Sequence, residues 1–151
     1  MEEPNPTASA IIGFAGRLED NSSKFYEMLA EKFPDEREIF LVFAKESEKN
    51  KMLVTRTYQE TITDAIEACF SFKGLNLCHY LVETKLTKDT SYPEALKMAI
   101  ELEKKASGFY SDVAEKSKPL LATIPKAFEK VATMRNKRNL KLKSLLDKVM
   151  A

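Results

Sequence analysis

AGRLEDNSSKFYEMLAEK (residues 15–32) and AIELEKKASGFYSDVAEK (residues 99–116) are two copies of one pattern, 84 positions apart. They share Ala15 and Ala99, Leu18-Glu19 and Leu102-Glu103, Phe25-Tyr26 and Phe109-Tyr110, and Ala30-Glu31-Lys32 and Ala114-Glu115-Lys116. Apolar residues recur at spacings of three and four, so each copy reads as a helix with one apolar face. A glutamate falls on that face in both copies. A carboxylate buried without a counter-charge is strongly unfavourable. Glu19 and Glu103 therefore need a positive partner, and the identity of that partner is the functional question.

Working outward, four long helical segments are expected. The first runs from about Thr7 to Phe33, with Ile12, Ala15, Leu18, Ser22 (a small residue), Phe25, Tyr26 and Leu29 inward. Pro34-Asp35 ends it, and Asp35 with Glu38 reads as a capping box opening the second helix. That helix is expected from about Glu36 to Cys69, its inner stripe marked by Phe40, Phe43, Ala44, Ser47, Asn50, Val54, Tyr58 and Ile62. The third begins near Pro93, with Ser91 and Glu94 as the start signal. Its stripe is Leu96, Ala99, Ile100, Glu103, Ala106, Tyr110 and Val113. Pro119 and Pro125 bracket the start of the fourth, whose stripe is Phe128, Val131, Ala132, Arg135, Arg138, Asn139, Leu142 and Leu145.

Tight turns join helices one to two and three to four, which makes each pair antiparallel. About 23 residues, Ser71 to Pro93, separate the pairs, long enough to cross from one end of a bundle to the other. The fold expected is all-α: a four-helix bundle of two antiparallel hairpins joined by a long crossover, in one domain spanning 1–151. The crossover residues Phe70, Phe72, Leu75, Leu77, Tyr80, Leu81 and Val82 are too apolar for a free loop. They are expected to cover the side of the bundle, any excess forming a homodimer surface.

Composition agrees. The chain has 151 residues, 31% of them charged and 44% hydrophobic, with four Gly and no Trp. A net charge of +1 gives no global field favouring nucleic acid or an anionic membrane. No apolar run approaches the roughly 20 residues of a membrane span. The opening MEEPNPTASA lacks the basic-then-apolar order of a signal peptide, so cytoplasmic residence is expected. Cys69 and Cys78 are too few for a four-cysteine metal site and are read as reduced thiols.

On Leu18-Glu19 with Phe25-Tyr26, Leu102-Glu103 with Phe109-Tyr110, and the segments Phe40–Leu53 and Phe128–Leu142, the chain resembles the ferritin-like superfamily, and most closely its rubrerythrin branch. The resemblance covers nearly all of the sequence. It implies that Glu19 and Glu103 stand where metal ligands stand in that family, and that helices two and four each supply Glu-x-x-His. Such sites hold two iron or manganese ions that react with peroxide or oxygen. It also implies dimerisation. The cysteine-bearing rubredoxin domain of rubrerythrins proper has no counterpart.

The departures are in the ligands. Anchored on Ala44, the second-helix motif becomes Ser47-Glu48-Lys49-Asn50; anchored on Ala132, the fourth-helix motif becomes Arg135-Asn136-Lys137-Arg138. Both Glu and both His are replaced, and the sole histidine, His79, lies in the crossover. A shift placing Glu46 or Glu48 inward turns Phe43 outward and is rejected. The expectation is that one guanidinium, that of Arg135 in preference, substitutes for the metal cations and bridges Glu19 and Glu103. Ser47 and Asn50 then add neutral hydrogen bonds. The alternative is that Arg135 and Arg138 snorkel to the surface. Tyr26 and Tyr110 read as core residues with satisfied hydroxyls, positioned behind a metal in the resemblance.

Other chemistries find little footing. There is no nucleophile elbow, phosphate loop or dinucleotide fingerprint. The basic run from Arg135 to Lys143 divides between inner and outer faces, which argues against a nucleic-acid stripe. A lipid or small-ligand binder using the bundle interior is opposed by its large Phe residues. The function expected is a rubrerythrin-like protein without its di-iron site and without a cofactor, serving as a structural, regulatory or interaction module. The alternative is a metal-binding oxidoreductase holding iron or manganese weakly through Glu19 and Glu103.

Overall fold

The computed structural model describes residues 5–119 and 123–151. Every regular element among them is helical: α1 (Ala8–Lys32), α2 (Arg37–Thr61), α3 (Asp64–Cys69), α4 (Tyr92–Lys116) and α5 (Thr123–Met150). Two short 3-10 turns, Pro34–Glu36 and Leu77–Tyr80, complete the set. No helix among the described residues is long and apolar enough to cross a membrane.

Side-chain pairs fix the directions of the helices. Glu19 meets Asn50 while Tyr26 lies against Phe40 and Phe43, so α1 and α2 are antiparallel. Glu103 meets Arg135 while Tyr110 packs on Phe128, so α4 and α5 are antiparallel too. Phe14 stacks on Phe109 and Tyr26 reaches Glu103, which sets α1 against α4 head to tail. Consequently α2 and α4 point the same way, and residues 70–91 must traverse the bundle between them. Phe72 and Leu75 are buried on the way, and Leu77, Tyr80, Val82 and Leu86 pack against the core. Near the start of this segment Gly74 takes a φ of +80°, a left-handed conformation that glycine adopts without penalty.

Two sequence expectations need correction. The second helix does not run on to Cys69. It ends at Thr61, Ile62 is extended with ψ 117°, and α3 starts afresh. Three successive β-branched residues, Thr61-Ile62-Thr63, weaken the helix here. The Thr63 hydroxyl accepts from Ile66 N at 3.2 Å and so caps a new one. Glu67 of α3 then accepts from Ser9 N at 2.9 Å and from the Tyr58 hydroxyl at 3.2 Å, tying the short helix across the end of α1.

The capping box at Asp35 and Glu38 does not form. Pro34, Asp35 and Glu36 are spent in a 3-10 turn, and Glu36 caps α2 without a side-chain bond. A capping residue must be extended and stand one place before the helix, and Asp35 does neither. At α4 the box is present: Ser91 Oγ accepts from Glu94 N at 3.2 Å, and Glu94 Oε2 accepts from Ser91 N at 3.4 Å. Ser91→Ala should therefore cost about 1 kcal/mol in urea unfolding, and Asp35→Ala under about 0.5. Equal losses would remove the distinction. The tight link expected between the last two long helices includes residues 120–122, which lie outside the described residues, as does the start of MEEPNPTASA (residues 1–4).

Candidate functional site

Glu19 on α1 and Glu103 on α4 are 1% and 0% exposed. Their own copies of the repeat put them there: Leu18 and Phe25 on one side of the pattern, Leu102 and Phe109 on the other, commit the same helical face to the core. Each carboxylate is held by the tyrosine of the opposite copy. The Tyr26 hydroxyl donates to Glu103 Oε1 at 2.9 Å, and the Tyr110 hydroxyl donates to Glu19 Oε2 at 3.3 Å. The exchange follows from the antiparallel contact of α1 and α4 and relates the two halves by a pseudo-twofold axis.

The second helix of each half breaks this symmetry. From α5, Arg135 is fully buried and lies between the glutamates. Its Nη1 donates to Glu103 Oε1 and Oε2 at 2.6 and 2.9 Å. Its Nη2 donates to Glu19 Oε1 and Oε2 at 2.8 and 2.7 Å, and to Ser22 Oγ at 2.8 Å. One turn later Arg138 is also buried. Its Nη1 donates to Ser47 Oγ at 2.9 Å and Glu103 Oε1 at 3.2 Å, and its Nε lies 3.6 Å from the half-buried Glu46 carboxylate. The guanidinium carbon stands 5.7 Å from the Tyr26 ring centre and 5.6 Å from that of Phe43, within cation–π range. From α2, Asn50 Nδ2 donates to Glu19 Oε1 at 3.3 Å.

The structure thus brings Glu19, Ser47, Asn50, Glu103, Arg135 and Arg138 into one cluster, with Tyr26 and Tyr110 touching it. Neither arginine snorkels. Two side chains enter that the sequence did not single out. Ser22 was readable only as a small inner residue, although it lies one turn from Glu19 on the same face, where a hydroxyl finds the same ligand. Its own proton goes to Leu18 O at 2.7 Å. Glu46 flanks Ser47 and reaches Arg138 from the rim, a contact that helical periodicity does not report.

The electrostatics close within the cluster. Two guanidinium and two carboxylate groups are buried together, one pair of each sign. Burial works against the charged form of Arg135, but the charges of Glu103 and Glu19 outweigh it and hold the guanidinium protonated beyond its ordinary range. Burial, reinforced by the charge of Glu103, pushes the Tyr26 phenol well above its usual value. Burial and the charge of Glu19 do the same for Tyr110. Both phenols are therefore protonated donors at neutral pH, as the carboxylates need.

A pair of transition-metal ions does not fit these residues. All four carboxylate oxygens already accept from Arg135, and the positions facing them carry a hydroxyl, an amide and two permanent cations rather than carboxylate and imidazole. No group of three or more His, Cys, Asp or Glu residues among the described residues is placed to hold a metal. His79 is exposed in the crossover beside Asn76, and Cys69 and Cys78 are free exposed thiols. No family model, no curated protein and no solved structure matches this chain.

Proposed function

We propose that this chain is a ferritin-like, rubrerythrin-like bundle in which an arginine of α5 stands where relatives hold metal ions. Its role is that of a non-catalytic structural, regulatory or interaction module. The observation that carries the reading is the grip of one guanidinium on both oxygens of both Glu19 and Glu103, within 2.6–2.9 Å throughout. A cation entering between those carboxylates must displace Arg135 and then face Arg138 3.2 Å from Glu103 Oε1. Charge repulsion and the loss of buried ion pairs both oppose it. The opposed helix directions and the traversing segment 70–91 support the ferritin-like arrangement. Cytoplasmic residence and a homodimer belong to the same reading, and sedimentation equilibrium reads the latter.

The test is made on protein purified without added metal. Iron(II) or manganese(II) should leave the melting temperature unchanged, and peroxide should not be turned over. A real site at a hundredfold excess of ion over its Kd would stabilise by about 2.7 kcal/mol, a rise of about 5–10 °C for a chain of this size. Such a rise, or near-stoichiometric metal accompanied by peroxide turnover, would overturn the proposal in favour of the oxidoreductase reading.

A further inference from the structure

The crossover leaves space against the outer side of α1 and α4. A cleft of about 360 Å³ lies there, within the range of about 300–1,000 Å³ usual for small-molecule sites. Its deep side is Phe14, Leu18 and Leu102, all buried. Its outer wall is crossover residues, Leu77, Leu81 and Val82 among them.

The floor is rigid. Phe109 packs on Phe14 with ring centres 4.9 Å apart and on Tyr80 at 5.5 Å. The Tyr80 hydroxyl donates to Asp112 Oδ2 at 2.6 Å, which pins the 3-10 turn to α4.

One end of the cleft is polar. Arg17 and Asn21 line it, one turn apart on α1. No Asp or Glu is among the lining residues. Among the described residues Arg17 makes no ion pair, whereas Lys51, a half-exposed cation of α2, is matched to Asp20. The guanidinium lies back over Gly13, one turn before Arg17: a Cβ there would meet Arg17 Nη1 at 3.4 Å, an ordinary contact. At the rim Leu81 is 65% exposed, a large apolar side chain left uncovered among the described residues.

From this juxtaposition we infer that the cleft under the crossover binds a small apolar monocarboxylic acid. Its carboxylate sits on Arg17, and its hydrocarbon body lies between Leu18, Leu102 and Leu81. A guanidinium matches the two oxygens of a carboxylate with two parallel hydrogen bonds. A single cation suits one negative charge. A neutral ligand would leave Arg17 unused, and a cationic one would meet it. This site is separate from the buried cluster and stands whether or not the proposed function does.

Cys78 lines the cleft and Cys69 does not, so the thiol reports occupancy. In full-length Cys69→Ser protein, the rate of Cys78 modification by a disulfide reagent is measured with decanoate and with 4-phenylbutyrate. Saturating protection by either supports the site and tells acyl from aryl acids. Arg17→Gln, an exposed change that should leave the melting temperature as it is, should weaken that protection about tenfold or more, the usual effect of losing a charge-assisted hydrogen bond. Three results would overturn the inference: no protection by either acid, equal protection by decanol or decyltrimethylammonium, or undiminished protection in Arg17→Gln.

Discussion

Arg135→Ala is expected to lower folding stability by about 3–5 kcal/mol, while Lys137→Ala, two residues along on the exposed face of α5, should cost under about 0.5 kcal/mol. The reason is what stays behind. Without the guanidinium, Glu19 and Glu103 face each other inside the bundle with Arg138 as the one buried cation, and of these two carboxylates Arg138 touches Glu103 alone. For a chain of this size the loss corresponds to a melting temperature about 10 °C lower or more. Arg135→Lys should recover little of it, since an ammonium is a point charge and cannot span two carboxylates as a planar guanidinium does. Urea titrations of the three variants measure all of this. Equal, small losses for Arg135→Ala and Lys137→Ala would remove the buried bridge from the account of the fold.

Much of this cluster was legible in the sequence because a duplication amplifies the signal. A single glutamate on an apolar stripe is ambiguous, but Glu19 and Glu103 come with the same Leu before and the same Phe-Tyr after. In the second helices the equivalence of Phe40 with Phe128 and Ala44 with Ala132 places Ser47 opposite Arg135 and Asn50 opposite Arg138. Periodicity then says that the arginines face inward, and electrostatics says what they must meet. What was not legible is what depends on geometry across helices. Glu46 reaches Arg138 from a position next to the stripe, and Ser22 competes as an acceptor although its composition says only small. Tyr26 and Tyr110 serve the glutamate of the other copy, which no reading of either copy alone reveals. The break at Ile62 was missed for a different reason: the apolar period continues through it. The cap at Thr63 is local and the pull of Glu67 on α1 is tertiary, and together they override the period. The same limit hid the cleft. The Phe residues argue against an interior cavity, and the cleft lies elsewhere, where a segment of irregular backbone passes α1 and α4.

Of the two buried carboxylates Glu103 alone meets both guanidinium groups, and removing its charge should be the second large effect. It accepts from Tyr26, twice from Arg135 and once from Arg138, whereas Glu19 touches Arg135 alone among the cations. Glu103→Gln leaves two guanidinium groups against Glu19, with only the half-buried Glu46 to help. A loss of about 3 kcal/mol or more is expected, larger than for Glu19→Gln. Arg138→Met keeps much of the packing on Tyr26 and Phe43 but leaves one positive charge against two negative ones, and it should cost about 2 kcal/mol. The double variant Glu103→Gln/Arg138→Met returns the centre to one charge of each sign, Glu19 and Arg135. Its loss should therefore fall short of the sum of the single losses by about 1–3 kcal/mol, the coupling expected of charges in direct contact. Urea unfolding of the four proteins completes the cycle. Additivity within about 0.5 kcal/mol would mean that Arg138 is held by ring faces and Ser47 rather than as a counter-charge. The neutrality of the cluster would then rest on Arg135 alone, one guanidinium against two carboxylates, and the metal-free reading would lose the second cation that makes it balance.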